Sequence, residues 1–188
     1  MSAILDEPAI RRAAFPVTVE FYHELGRLGM LDKSVELLDG VIVSKMSKSP
    51  LHVTTLDLLD DLIRAALRPG LRLRHESPLT TDSSEPEPDL AVVEGGPRDF
   101  SKQHPTTALL VIEVAISTVE IDRRKAIIYA RAGVGEYWLV EPEARRVTSF
   151  RRPSSAGYAV ERSLTAEETL TCEALPTLSF KVTEIFGA

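Results

Sequence analysis

The sequence predicts a mixed-sheet α/β (α+β) domain in which helices flank a central sheet. Three observations carry this. Strand-like runs cluster around two main helices, and one of those helices sits between the runs at 109 and 136, as a crossover within one sheet would. The run Leu109 to Ile116, LLVIEVAI, is apolar throughout except for Glu113, as a core strand should be. With 188 residues the chain has the length of one domain, with a core over about 34–182 and a helical segment before it over about 16–30.

The elements follow in order. SVELLDGVIVSKM (34–46) places two strand-like runs around Asp39-Gly40, a dipeptide that favours a two-residue hairpin turn. A helix follows, with Ser49 as its cap, Pro50 at its first position, and Pro69-Gly70 marking its end. Its helical repeat of Leu51, Leu58, Leu59, Leu62, Ile63, Ala66 and Leu67 predicts one core-facing side. LRLRHES (71–77) alternates as a strand. TTDSSEPEPD (80–89) is a polar loop in which Pro86 and Pro88 impose extended backbone ahead of LAVV. After Gly95-Gly96-Pro97 comes the 109–116 strand, then a helix over 121–133 closed by Gly133, then the strand EYWLVE. Arg145 to Arg152 and Gly157 to Arg162 form a hairpin around PSSAG, and a short strand and a turn end the chain.

Composition bounds the function. Hydrophobic content of 44%, charged content of 27% and a mean hydropathy of -0.02 are those of an ordinary water-soluble domain. Asp6 and Glu7 stand where a leader would keep an apolar core, and no run approaches the roughly 18 apolar residues of a membrane span, so a cytoplasmic location without membrane contact is expected. A lone Cys172 permits neither an internal disulfide nor a cysteine-rich zinc site. A formal charge of -6 argues against indiscriminate attraction to nucleic acid and leaves local basic patches open. Two stretches qualify: Arg123, Arg124, Lys125 and Arg131 against Asp122, and Arg64, Arg68, Arg72 and Arg74 against Glu76. Either binds phosphates if its charges share a surface, and either can equally be a solvated face.

The chemistry turns on Glu113. An ionised group inside an apolar strand needs a partner. Strand alternation puts Glu113 on one face with Leu109, Val111 and Ala115, and the small Ala115 leaves room beside it. Asp89 opens the preceding strand-like run, and if the two runs pair, two carboxylates converge at a strand spacing of about 4.8 Å. Mg2+ suits that geometry, because it takes one or two carboxylates and completes its octahedron with water and phosphate oxygens. Lys125 follows twelve residues after Glu113 on the crossover helix, with Tyr129 one turn further along the same face. A lysine there can orient a water or offset charge on a phosphate. The competing reading pairs Glu113 with an arginine such as Arg123, makes Asp89 a turn residue, and leaves Lys125 in solvent. Tyr129 and Trp138 read first as residues packing helix on sheet.

The ordered set Pro88-Asp89, Glu113 and a lysine resembles the PD-(D/E)XK nuclease superfamily. The phrases PEPDLAVVEG, LLVIEVAIST and DRRKAIIYARAGVGEYWLVEPEARRV are similar to the Uma-two-type restriction endonuclease group within it, and the likeness runs from Val35 to the C-terminal strands. The resemblance implies a restriction-endonuclease-like core, an endonuclease acting on DNA with Mg2+ (or Mn2+), and a possible homodimer. It implies Asp89 and Glu113 as metal ligands, Lys125 as the catalytic lysine, Glu36 as a third acid near the metal, and His52 as a group lining the site. The superfamily lysine two residues after the glutamate is absent, since Ala115 holds that position, and Lys125 on the following helix takes its place. A second class stands beside the enzyme: a nuclease fold kept as a catalytically inactive module that binds nucleic acid or a protein.

Overall fold

The computed structural model describes residues 8–32 and 34–186; Asp6 and Glu7 lie outside them. Two short helices come first, α1 (Pro8–Ala13), which the sequence did not suggest, and α2 (Val19–Arg27) inside the expected helical segment. Thr18 caps α2, its Oγ1 accepting from the Phe21 amide at 3.2 Å. β1 (Val35–Leu38) and β2 (Val41–Ser44) form the expected hairpin, with Asp39 and Gly40 both at positive φ (44° and 76°), as a two-residue turn of this hand requires. Only glycine fits the second position, because a Cβ on Gly40 would fall 2.5 Å from the Pro16 Cβ.

The long helix α3 (Pro50–Ala66) starts where expected, with Ser49 Oγ accepting from the His52 amide at 3.2 Å. Its inward face differs at the first turn. Leu51 is exposed, while His52 and Thr55 are buried ahead of Leu59, Ile63 and Ala66. The remaining elements are β3 (Leu71–His75), β4 (Leu90–Glu94), β5 (Leu110–Val114), α4 (Val119–Arg131), β6 (Glu136–Glu141), β7 (Arg146–Ser154), β8 (Gly157–Thr165), β9 (Thr169–Thr171), β10 (Ser179–Lys181) and a closing 3-10 turn (Val182–Ile185).

Six strands make one mixed sheet in the order β3-β4-β5-β6-β7-β8. β5 and β6 are parallel and are joined across α4, and the other neighbours are antiparallel. β5 is buried along its whole length. Leu110, Ile112 and Val114 face a core built with Leu59 and Ile63 of α3, Trp138, and Phe180 of the β9–β10 hairpin. Val111 and Ala115 face a second core with Tyr129 of α4, Tyr137, Leu139 and Phe150. The architecture is therefore a helix-flanked mixed sheet, as the sequence predicts. Tyr129 and Trp138 both pack in these cores, with Tyr129 tilted against Tyr137 at a ring separation of 5.1 Å. Among the described residues no helix is long and apolar enough to cross a membrane.

Cys172 is buried beside Glu136, and burial followed by that carboxylate pushes its thiol up to about 12. The thiolate is the reactive form. A disulfide reagent such as Ellman's should therefore leave the native protein almost untouched at pH 8 and titrate one thiol after denaturation; rapid native labelling would contradict this burial.

Candidate active site

Strand register brings the two principal acids together. β4 pairs antiparallel with β5 with Leu90 opposite Ile112, so Asp89, one step beyond, comes across from Glu113. Asp89 prolongs the ladder with its side chain: its Oδ2 accepts from the Val114 amide at 2.8 Å. The Asp89 amide approaches Glu113 Oε2 at 3.4 Å. Pro88 and Pro86 keep the preceding chain extended, as the sequence implied.

Lys125, Asp122 and Tyr129 lie on one face of α4, at the three- and four-residue spacing that aligns side chains along a helix. The Lys125 ammonium is 2.8 Å from Glu36 Oε1, 3.0 Å from Glu113 Oε1 and 3.4 Å from Asp122 Oδ1. The Tyr129 hydroxyl donates to the same Glu113 Oε1 at 2.7 Å. The β1–β2 hairpin delivers Glu36, whose second oxygen accepts from the Glu87 amide at 3.1 Å and so ties the hairpin to the proline-rich loop. His52, on the first turn of α3, sets its Nε2 3.2 Å from Asp89 Oδ2, while its buried Nδ1 has no partner. All five residues singled out in the sequence thus meet in one place.

The charge balance there is one-sided. Glu36, Glu113 and Asp122, all buried, surround a single buried lysine. Burial, with Asp122, Asp89 and Glu36 adding to it, pushes the Glu113 carboxyl up to about 8, and Lys125 opposes the rise. Burial pulls the Lys125 ammonium down, but Glu113, Glu36 and Asp122 together outweigh it and raise it, so Lys125 is charged at neutral pH. Asp122 is raised as well, chiefly by burial. Burial and the nearby Glu113 raise Tyr129, which stays a protonated donor.

The alternative partner for Glu113 is excluded. Arg123 points outward to Glu161, 2.5 Å away, and lies over the Phe150 ring. Lys125 likewise leaves the basic stretch of α4, since it is buried in the site rather than available on a surface. Two participants were not recognised from sequence. Asp122 counted there only as a charge opposing the basic stretch, although its three-residue spacing from Lys125 was a usable signal. Lys48, in the segment between β2 and α3, pairs with Glu76 and lies 3.8 Å from Asp89 Oδ1; nothing in its local sequence marks it.

Glu36, His52, Asp89, Glu113, Asp122 and Lys125 line a cleft of about 690 Å³ that also takes in Lys48, Glu76, Ser117 and Ile121. The donor set suits a hard divalent cation. Among the described residues Glu113 Oε2 has only its long amide contact and Asp89 Oδ1 only Lys48 at 3.8 Å, and the buried carboxylates outnumber the buried lysine. Among the described residues no group of three acid, histidine or cysteine side chains forms a ready cage. A cation held by Asp89 and Glu113 would therefore keep open positions for water and phosphate, which is how Mg2+ is ordinarily bound.

The family model for Uma2, described as "Putative restriction endonuclease", matches residues 19–183. The chain belongs to the Uma2 family. A crystal structure titled as a "putative nuclease belonging to DUF820", from Anabaena variabilis, superposes with a TM-score of 0.74 at 16% identity, covering 91% of this chain and 98% of that one. At that identity the likeness establishes the shared fold, and the Uma2 match is what ties the chain to nucleases. No curated protein matches the chain.

Proposed function

We propose that this Uma2 protein is a divalent-metal-dependent endonuclease that hydrolyses phosphodiester bonds in DNA, with Mg2+ the ordinary cation and Mn2+ a substitute. The observation that carries the reading is the meeting of Asp89 and Glu113 across a strand pair beside a buried lysine, on a cleft wall. When bound, the cation supplies a water of lowered pKa and neutralises charge on the phosphate. The chain's own residues prepare that site. Lys125 and Tyr129 both hold Glu113 Oε1, which fixes the rotamer and leaves Oε2 toward Asp89. The Val114 amide and His52 hold Asp89 Oδ2 in the same way. Lys48, with its side chain 30% exposed, offers the cleft an ammonium that solvent and a phosphate can reach, which the nearly enclosed Lys125 does not.

The full engagement of Lys125 by carboxylates favours a second reading, a nuclease fold that binds nucleic acid or a protein without cutting. Cleavage of supercoiled plasmid and of single-stranded DNA, with Mg2+, Mn2+ or EDTA, separates the two. Native protein should cut only with metal, and Asp89→Asn should lower the rate on the order of a hundredfold or more. No cleavage of either substrate, or equal cleavage by the variant, would overturn the enzyme reading. Two copies related by a two-fold axis would place one site on each strand of a duplex.

A further inference from the structure

The structure carries a second polar depression, and it abuts the first. β3 forms one edge of the six-stranded sheet. Beside it runs a groove of about 550 Å³ whose polar lining is Arg64, Arg72, Arg74, His75 and Ser77. Its charges are not equivalent. Arg64 is matched by Asp60, whose Oδ2 lies 2.5 Å from Nε, and His75 Nε2 lies 2.8 Å from the other oxygen of the same acid. Arg72 and Arg74 have no carboxylate partner among the described residues. Arg74 lies over the Phe100 ring at 5.1 Å, its Nη2 is 3.5 Å from His104 Nδ1, and its buried Nε has no hydrogen-bond partner. Burial, and then the neighbouring Arg72, pull its pKa below the usual value. Two neighbouring guanidiniums without a carboxylate partner, Arg72 exposed and Arg74 half-buried, offer an anion charge-assisted hydrogen bonds at this edge.

Register connects this groove to the carboxylates. Arg72 lies opposite Val93 and Arg74 opposite Ala91, so both share the sheet face that carries Asp89 and Glu113. Immediately past the end of β3, the Glu76 amide donates to the Asp89 carbonyl at 3.2 Å, and Glu76 takes a left-handed backbone (φ 43°) where groove and cleft meet. Alternate residues on a strand are about 6.6 Å apart, so Arg74 and Arg72 sit roughly one and two such steps from that junction. The cations therefore form a track that leads to the acids instead of an isolated anion hole.

We propose that the open edge of β3 seats the phosphodiester backbone flanking the bond to be cut, with Arg72 and Arg74 as its phosphate contacts. The proposal rests on the nuclease reading and names where the substrate lies. A regularly charged polymer fits two unneutralised cations in series better than a single small anion does, and in a chain of net charge -6 such contacts must be local.

Fluorescence anisotropy of a labelled DNA duplex and of the matching single strand, titrated with protein in EDTA over a series of salt concentrations, tests this without catalysis. Arg72 is exposed, so Arg72→Glu should melt like the native protein, weaken binding about tenfold, and lower the slope of log K against log salt by about 0.7–0.9. Arg72→Lys should recover most of the affinity. Arg162→Ala, on β8 at the opposite edge of the sheet, should change neither quantity. Native affinity and slope in Arg72→Glu, or an equal loss in Arg162→Ala, would overturn the groove. If the native protein cuts DNA while Arg72→Glu binds normally, the groove falls and the nuclease stands. Binding that depends on Arg72 without cleavage upholds the groove against the catalytic reading, and a native protein that binds neither DNA removes both.

Discussion

Replacing Lys125 with methionine should lower stability by about 3–5 kcal/mol, the usual cost of removing one partner from a buried ionic cluster. In a domain of this size that is roughly 6–20 °C in melting temperature. The methionine keeps most of the volume but leaves Glu36, Glu113 and Asp122 facing one another without a cation. Loss of DNA cleavage in this variant would therefore say little by itself, because a structural role predicts it too. The informative measurement is calorimetry with and without Mg2+. If the cation binds among these carboxylates, it should stabilise Lys125→Met more than the native protein, since the variant's site is more negative. A second substitution, Glu36→Gln, should recover part of the lost stability by removing one of the stranded charges. Should Lys125→Met melt within about 2 °C of the native protein, the lysine would not be the cluster's central cation. For the native lysine the pH direction is fixed. Its folded-state pKa is raised, so its stabilisation is fully present below the unfolded value of about 10.4 and is lost only as pH rises through the folded one.

The fold was legible in the sequence wherever local chemistry decides backbone geometry. Asp39-Gly40 requires positive φ, Ser49-Pro50 starts a helix, and the apolar run around Glu113 cannot sit at a surface; each gave the observed element. Misreadings fall where tertiary context reverses a local rule. Leu51 matched the apolar repeat of α3, yet the first turn of that helix turns His52 toward the cleft, where it meets Asp89, while the buried Thr55 hydroxyl bonds back to the Leu51 carbonyl. The expected hairpin ended its first strand at Arg152 ahead of PSSAG, but β7 runs on to Ser154, while β8 starts at Gly157 as expected. The pairing of β6 with β7 has stopped at Arg151, so on that side the missing amide of Pro153 removes no ladder bond.

The site shows the same division. Glu113 was legible because a carboxylate in an apolar strand is costly and needs a partner; Asp89 and Lys125 were candidates beside it, and the family resemblance, not local chemistry, singled them out together with Glu36 and His52. Asp122 and Lys48 were not legible, because a charge on a helix or a loop is ordinarily solvated, and only the packing of α4 and of the segment before α3 against the sheet places them at the cleft. The sheet edge was likewise invisible. Arg72 and Arg74 stood out in sequence as part of a basic stretch, but only the structure shows that, among the described residues, no strand pairs with β3 on its outer side.

Glu113→Gln should separate stability from cation binding, and the two effects should have opposite signs. In EDTA the native carboxyl has a folded-state pKa of about 8, raised from 4.5 by burial. A raised acid binds its proton more tightly in the folded than in the unfolded state, so its contribution to stability falls as pH rises from about 4.5 to about 8. Glutamine imitates the protonated form at every pH and still offers an oxygen to Lys125 and Tyr129. The variant should match the native protein near pH 5 and exceed it near pH 9 by at least about 1.4 kcal/mol, the worth of one pKa unit. That corresponds to roughly 3–6 °C. At the same time the variant should lose the melting shift that Mg2+ or Mn2+ gives the native protein, because a ligand that binds only the folded state stabilises it by mass action. A difference in melting temperature that does not change with pH would remove the burial argument for Glu113. A metal-induced shift that survives in the variant would remove Glu113 from the cation site. Gain in one measurement and loss in the other is the expected mark of a residue whose charge is kept for a ligand at the expense of the fold.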